Sequence, residues 1–359
     1  MKTKFVLPIM LWIFFIAVFV CSCKKDLSLE NAGSVSSLKA FLNSNAAPLQ
    51  TFTVNCTTGG SFTTSQGTVV NIPANDFKLP SGRFATGNIT IQFRDLYKKS
   101  DMLFADVSTD LEGKPLKSAG EFFICAKQGD SALQIANRID VQQPANGQPV
   151  DTMMQAFVAN TNLADTGNVD PVQWIPNNDS VQNNNVVDTT TADTTGNNNN
   201  DTLNQSPVPC QEFYTADNYV FSLYNFSAPA VNGTWCNSDN GSYFYNYPNT
   251  SLTLQCTSTL SVNTYREMYI DVFLVFKNIN CMVHVYSDYN TGVAGSQNTF
   301  TYANAPQGLQ ATVVAVYEDP AGQLKASFTP ITIGDNQTVN FALSPITQDD
   351  FAAQVRALD

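Results

Sequence analysis

Thirty consecutive residues near the middle of the chain cannot fold by themselves, and they constrain everything around them. Residues 177–206 contain ten Asn and six Thr and no aromatic or basic side chain. Such a composition buries too little apolar surface to offset the chain entropy lost on ordering. The stretch reads as a disordered linker spanning about 30 Å as a flexible coil. It divides the 359 residues into two units, each long enough for a core of its own. Calcium binding there is disfavoured by ligand chemistry, because an EF-type loop closes on a bidentate Glu and the segment has none.

On both sides of the linker the chain is punctuated into short strands. In residues 51–176, Asn88–Phe93 alternates with Ile89, Ile91 and Phe93 on one face, and Glu121–Ala126 is so apolar that both faces should be buried. In residues 207–345, Asn218–Phe226, Ser242–Tyr247, Ser251–Cys256, Met268–Phe276, Met282–Tyr286, Asn298–Tyr302, Ala311–Tyr317, Leu324–Phe328 and Thr338–Leu343 read as strands. Asn232-Gly233, Asn240-Gly241 and Pro320-Ala321-Gly322 supply turns between them. Many short strands with turns between them predict an all-β chain of two antiparallel β-sandwich domains. Residues 346–359 predict a C-terminal helix, with Thr347 as N-cap, Asp349 and Asp350 in its first turn, and Phe351, Val355 and Leu358 on one face. A shorter helical signal, Leu38, Phe41 and Leu42, lies within a tether at residues 23–50.

The N-terminus carries an address. Lys2 and Lys4 precede an unbroken apolar run from Phe5 to Val20, followed by Cys21-Ser22-Cys23-Lys24-Lys25. This is the pattern of a lipoprotein signal peptide covering residues 1–22, with Cys23 as the lipidated residue. An uncleaved spanning helix is the rival, although the run sits at the short end of the roughly 17–25 residues a span needs. Lys24 after the cysteine resembles the sorting pattern of Gram-negative lipoproteins sent to the outer membrane, so a periplasmic or surface location is expected.

Loss of residues 1–22 removes Lys2 and Lys4, leaving 16 basic side chains against 30 acidic ones, a mature net charge of −14. Phosphate binding needs clustered Lys and Arg; beyond Lys24-Lys25 beside the lipidation site, Lys98-Lys99 is the only basic pair of the mature chain, so nucleic acid is excluded as a partner. Six cysteines follow Cys23. Cys56 and Cys125 fall in the first unit and Cys210, Cys236, Cys256 and Cys281 in the second, and even counts outside the cytoplasm predict one bridge and two bridges. With no C-x-x-C spacing and a single histidine, neither a metal nor another cofactor is expected.

Catalytic signals are sparse. His284 sits mid-strand and reads as a packed sheet residue rather than a base, and no G-x-S-x-G elbow occurs. Asp101, Asp106, Asp110, Glu112 and Glu121 cluster in sequence, as a glycosidase pair would require, but turn and strand-edge acids are the plainer reading. Tyr243, Tyr245 and Tyr247 at period two would share a strand face. Exposed they would stack on sugar rings; cross-strand packing is the expected alternative. The chain is therefore expected to be a non-enzymatic, lipid-anchored envelope protein with an envelope protein or glycan partner. A glycan-binding component of an uptake system and a carboxylate-based hydrolase are the alternatives.

Four resemblances add to this. Residues 59–74, with Gly59, Gly60, Gly67, Ile72, Pro73 and Ala74, resemble the opening of the ZU-five family of β-sandwiches. The 101–124 stretch, with Met154, Phe157 and Trp174, resembles a segment of bacterial surface lipoproteins. The phrase from Phe300 to Gly308 and the strand from Ala311 to Val316 resemble carboxypeptidase-regulatory, transthyretin-like modules, which implies an accessory sandwich without catalytic residues. Within the linker, Asp179-Ser180-Val181, Asp188-Thr189-Thr190, Asp193-Thr194-Thr195 and Asp201-Thr202-Leu203 resemble acceptor triplets of Gram-negative O-glycosylation. Ser180, Thr189, Thr194 and Thr202 are thus either glycan acceptors or plain linker residues.

Overall fold

The computed structural model describes residues 33–146, 149–159, 172, 174–176, 210–214, 218–224, 234–259, 270–287 and 298–359. Residues 1–22, Cys23, all of residues 177–206 with Ser180, Thr189, Thr194 and Thr202, and the Cys210 side chain lie outside these.

The protein is all-β, with two sandwiches and, among the described residues, three short helices: α1 (Gly33–Asn45), α2 (Lys99–Ala105) and α3 (Gln348–Arg356). In the first sandwich a seven-stranded inner sheet runs in the order Gln50–Asn55, Asn88–Leu96, Lys117–Gln128, Thr234–Asn240, Gln155–Ala159 and Trp174–Pro176, with Ser131–Ala132 off the path. A five-stranded outer sheet runs Cys210–Tyr214, Asn218–Tyr224, Arg138–Pro144, Val69–Ile72 and Gly60–Thr63. Ile89, Ile91, Phe93, Phe122 and Ile124 from the inner sheet meet Val70, Ile72, Ile139, Val141 and Phe221 from the outer one.

This order corrects the domain boundary. Three strands from beyond the linker, Cys210–Tyr214, Asn218–Tyr224 and Thr234–Asn240, belong to the first sandwich and not the second. The last of them lies between Lys117–Gln128 and Gln155–Ala159. Trp174–Pro176 before the Asn/Thr-rich stretch and Cys210–Tyr214 after it thus belong to the same sandwich. Thr234–Asn240 reads T-W-C-N-S-D-N, a sequence with no β alternation of apolar residues, because its polar side chains find partners inside the protein rather than in water.

The second sandwich packs the three strands Thr299–Pro306, Asn249–Cys256 and Gln337–Phe341 against the five strands Met282–Val285, Asp271–Phe276, Gln310–Glu318, Leu324–Thr332 and Ser344–Pro345. Asn249–Cys256 pairs in parallel with Gln337–Phe341. Alternation sends Val272, Leu274, Val283 and Val313 into this core and their neighbours Phe273, Val275, Met282 and Val314 to the opposite face.

That opposite face belongs to a third apolar cluster joining the two sandwiches. It includes Leu96, Phe157 and Trp174 of the inner sheet, Leu38 and Leu42 of α1, Leu103 and Phe104 of α2, and Phe351 and Val355 of α3. Helix α1 is therefore docked. Phe41 lies 6.0 Å from the Phe351 ring, Arg94 Nη1 donates to Asn43 Oδ1 at 2.9 Å, and Arg356 Nη2 donates to Asn45 Oδ1 at 3.0 Å. Helix α3 starts where expected, with Thr347 Oγ1 accepting from Asp350 N at 3.1 Å. The cluster also explains why Lys117–Gln128 is buried on both faces: one covers the first core and the other faces the junction.

The Gly59–Gly60 pair and the Ile72-Pro73-Ala74 segment meet across two strands, Gly60 opposite Ile72. Gly59 has φ +72°, and a Cβ there would lie 2.5 Å from Ile72 O, so the close crossing requires glycine.

Two further expectations are corrected. The tyrosines form no strand face, because Tyr243–Asn246 is a 3₁₀ turn. Its Phe244 is buried, Tyr243 and Tyr247 pack against the second core, and Tyr245 alone stands out at 78% exposure. No row of stacked rings exists there. Cys56, Cys125, Cys236, Cys256 and Cys281 are all unbridged and buried. Cys56 faces the first core, whereas alternation with Phe122, Ile124 and Ala126 turns Cys125 to the other side of its sheet, so the two cannot meet. Cys236 lies in the first core while Cys256 and Cys281 lie in the second.

Candidate functional site: a buried acidic seam between the sandwiches

Register across the inner sheet places Leu96 opposite Glu121, Glu121 opposite Asn237 and Asn237 opposite Phe157. All four side chains thus share the face turned to the second sandwich. Asp239 follows two residues after Asn237. Glu121, Asn237 and Asp239 are each 0% exposed. Asn237 Nδ2 lies 2.5 Å from Asp239 Oδ2 and 3.4 Å from Glu121 Oε1, and Ser118 Oγ lies 3.0 Å from Asn237 Oδ1. The shortest of these is an ordinary O–H···O length and short for N–H···O. Asn237 thus donates its amide to both carboxyl groups while its carbonyl accepts from Ser118. Glu121 Oε2 and Asp239 Oδ1 have no hydrogen-bond partner. Two carboxylates with only neutral neighbours in a dry interior are untenable. Burial, with the Asp239 charge added, pushes Glu121 well above its usual range. Burial pushes Asp239 up to about 8 against the hydrogen bonds of Ser118 and Asn237.

Alongside, the second sandwich presents Asn280, Cys281, Met282 and His284. Ser118 N donates to Asn280 O and Thr109 N to Met282 O, both at 2.8 Å. Thr109 Oγ1 contacts Cys281 Sγ at 3.4 Å. The open edge of Met282–Val285 is thus covered by residues 108–118, the usual need of an edge strand. Trp174 Nε1 donates to Ser108 O at 2.7 Å and holds that cover in place.

His284 lies on the junction face opposite Phe273, with 7% of its side chain exposed. Its Nδ1 is 2.8 Å from Asp106 Oδ1 and 3.1 Å from the Tyr286 hydroxyl, and its Nε2 is 3.7 Å from Asp271 Oδ1. The rings of Phe273 and Tyr286 lie 4.6 and 4.3 Å away. Asp106 reaches this position because α2 ends on it with φ +54°, a left-handed cap. Burial opposes a charge on His284, but the Asp106 charge and hydrogen bond, with Asp271 and Asp110, outweigh it and raise its pKa. Burial likewise opposes ionisation of Asp106, yet His284, with Lys39 of α1 farther out, holds it below the usual carboxylate range. Burial lifts Asp110 and Asp271 to about 6 each.

Of the acids clustered in sequence, the structure brings Asp106 and Asp110 to His284 and takes Glu121 elsewhere, into the pair with Asp239. Glu121 is therefore no strand-edge acid. Asp101 lies on α2, where burial, with Asp359 nearby, raises it to about 6, and Glu112 sits in a tight turn at φ +50°. Asp239, Asn237 and Asp271 carried no signal in the sequence, since no motif joins them to one another or to His284. No group of three or more His, Cys, Asp or Glu side chains able to hold a metal occurs among the described residues. What the seam can do is bind and release protons: it gathers five carboxyl groups and one imidazole where two β-sandwiches meet.

No protein-family model, curated protein or solved structure matches this chain.

Proposed function

We propose that the chain is a non-enzymatic, lipid-anchored protein of the cell envelope that presents two docked β-sandwiches, ZU-five-like and transthyretin-like, to an envelope partner. The observation that carries this reading is the sequence Val20-Cys21-Ser22-Cys23-Lys24 behind an apolar run, with Lys24 favouring the outer membrane. Acyl chains on Cys23 would contribute about 0.8 kcal/mol per buried methylene. The −14 mature chain has no basic cluster to hold an anionic membrane, so the lipid would do the anchoring.

The docking of α1 sharpens the arrangement. Helix α1 begins at Gly33, so nine residues separate Cys23 from the folded body, ten residue steps with a reach of about 35 Å when extended. The two sandwiches would be held close to the bilayer as one unit, rather than ranging on independent tethers.

Cys23→Ser tests the reading. The variant is expected in the soluble envelope fraction and without label from an alkyne fatty acid, whereas the parent is labelled and sediments with membranes. A variant that stays membrane-bound would overturn it in favour of an uncleaved helix.

A further inference from the structure

The geometry points to a proton-operated latch at the junction of the two sandwiches, closed when its buried acids and imidazole hold protons and loosened as the pH rises through neutrality. The inference rests on the described residues and is independent of the lipid anchor.

Glu121 and Asp239 are fully enclosed with one unpartnered oxygen each. The groups within hydrogen-bond reach of them are neutral, Asn237 and Ser118 from the same sheet; from across the junction the Cys281 thiol senses the Asp239 charge, and the buried Lys99 ammonium of α2 is engaged with Phe276 O at 2.9 Å. The nearest cation on their strand, Lys117, is engaged with Asp151 at 2.8 Å on the flank. Removing a proton from this pair leaves a negative charge that neither water nor a cation reaches. The junction can relieve it only by opening.

His284 acts in the same sense. It is faced by Asp106 at the end of α2, Asp110 in the covering segment, Asp271 on the adjacent strand, Tyr286 on its own chain segment and Lys39 of α1 farther out. While protonated it balances acids from both sandwiches; once neutral it leaves them opposed across the junction. Burial raises Glu121, Asp239, Asp110 and Asp271 alike, and the carboxylates raise His284. The closed seam therefore binds more protons than the open one, and alkalinity favours opening.

The backbone supplies the reporters. Thr109 N–H and Ser118 N–H cross the junction to Met282 O and Asn280 O, whereas Leu274 and Val283 pair within the second sandwich. Amide hydrogen exchange on the full chain in detergent, corrected for intrinsic exchange, would be followed from pH 6 to pH 8.5. The protection of Thr109 and Ser118 is expected to fall about tenfold per pH unit for each proton released, while that of Leu274 and Val283 holds. In Glu121→Gln/Asp239→Asn, which carries no ionisable pair, the junction amides are expected to keep most of their protection at pH 8.5. Glu121→Gln alone gives the same reading in part if the double variant does not fold. Junction amides that track the reference amides across the range, or a variant with an unaltered pH response, would overturn the latch.

Discussion

Replacing His284 with Gln tests the electrostatic account of the junction most directly. Glutamine keeps a donor of similar reach and removes the only positive charge within hydrogen-bond distance of Asp106 among the described residues. Removing one partner of a buried ion pair costs about 3–5 kcal/mol, because the other charge is left without compensation. Here Asp106 and Asp271 keep 25% and 31% of their side-chain surface at solvent, and screening lowers the cost to about 2–3 kcal/mol. For a protein of this size that corresponds to a fall in melting temperature of about 3–4 °C. The pH dependence fixes the mechanism. The pKa of His284 is raised on folding, so its stabilisation is complete below the unfolded value of about 6.5 and is lost as the pH rises through the folded value. That of Asp106 is lowered, so its contribution is complete above about 3.9 and is lost as the pH falls through the folded value. The gap between parent and variant should therefore be widest between about pH 4 and pH 6.5 and shrink by pH 9. Thermal melts followed by circular dichroism at pH 5.5 and pH 9 measure it. A gap equal at both pH values, or below about 1 kcal/mol at pH 5.5, would refute the reasoning.

Three further outcomes follow from particular contacts. Gly120 has φ +137°, and a Cβ there would sit 2.5 Å from Tyr97 Cδ1; Gly120→Ala should destabilise by about 2 kcal/mol or more, read as a shift in urea midpoint at constant slope. Thr347→Ala removes the cap of α3 and should cost about 1 kcal/mol, read in the same urea titration. The five described cysteines are buried thiols, so alkylation of native protein should leave Cys56, Cys125, Cys236, Cys256 and Cys281 unmodified, and all five should react in denaturant. Mass spectrometry after proteolysis distinguishes this from bridged pairs, which would resist alkylation even when unfolded.

Much of the fold was legible because strands with one wet face and one dry face announce themselves. Asn88–Leu96 alternates visibly, and α3 shows its cap, its first-turn acids and its apolar stripe in nine residues. Thr234–Asn240 was hidden for the opposite reason. It lies inside a sheet whose far face meets another domain, so its Asn, Ser and Asp are buried without being apolar. The same concealment applies to the seam, whose residues come from α2, the covering segment and both sandwiches.

The sequence alone determined the all-β class and the helix at the C-terminal end, because local periodicity and short-range signals suffice for both. Only the tertiary structure decided where the chain crosses back after its Asn/Thr-rich stretch, that the five described cysteines are unbridged, and that Glu121 and Asp239 share one buried site. Those outcomes depend on which strands pair across more than a hundred residues of chain, as Glu121 does with Asn237. No periodicity within a strand encodes its choice of neighbour.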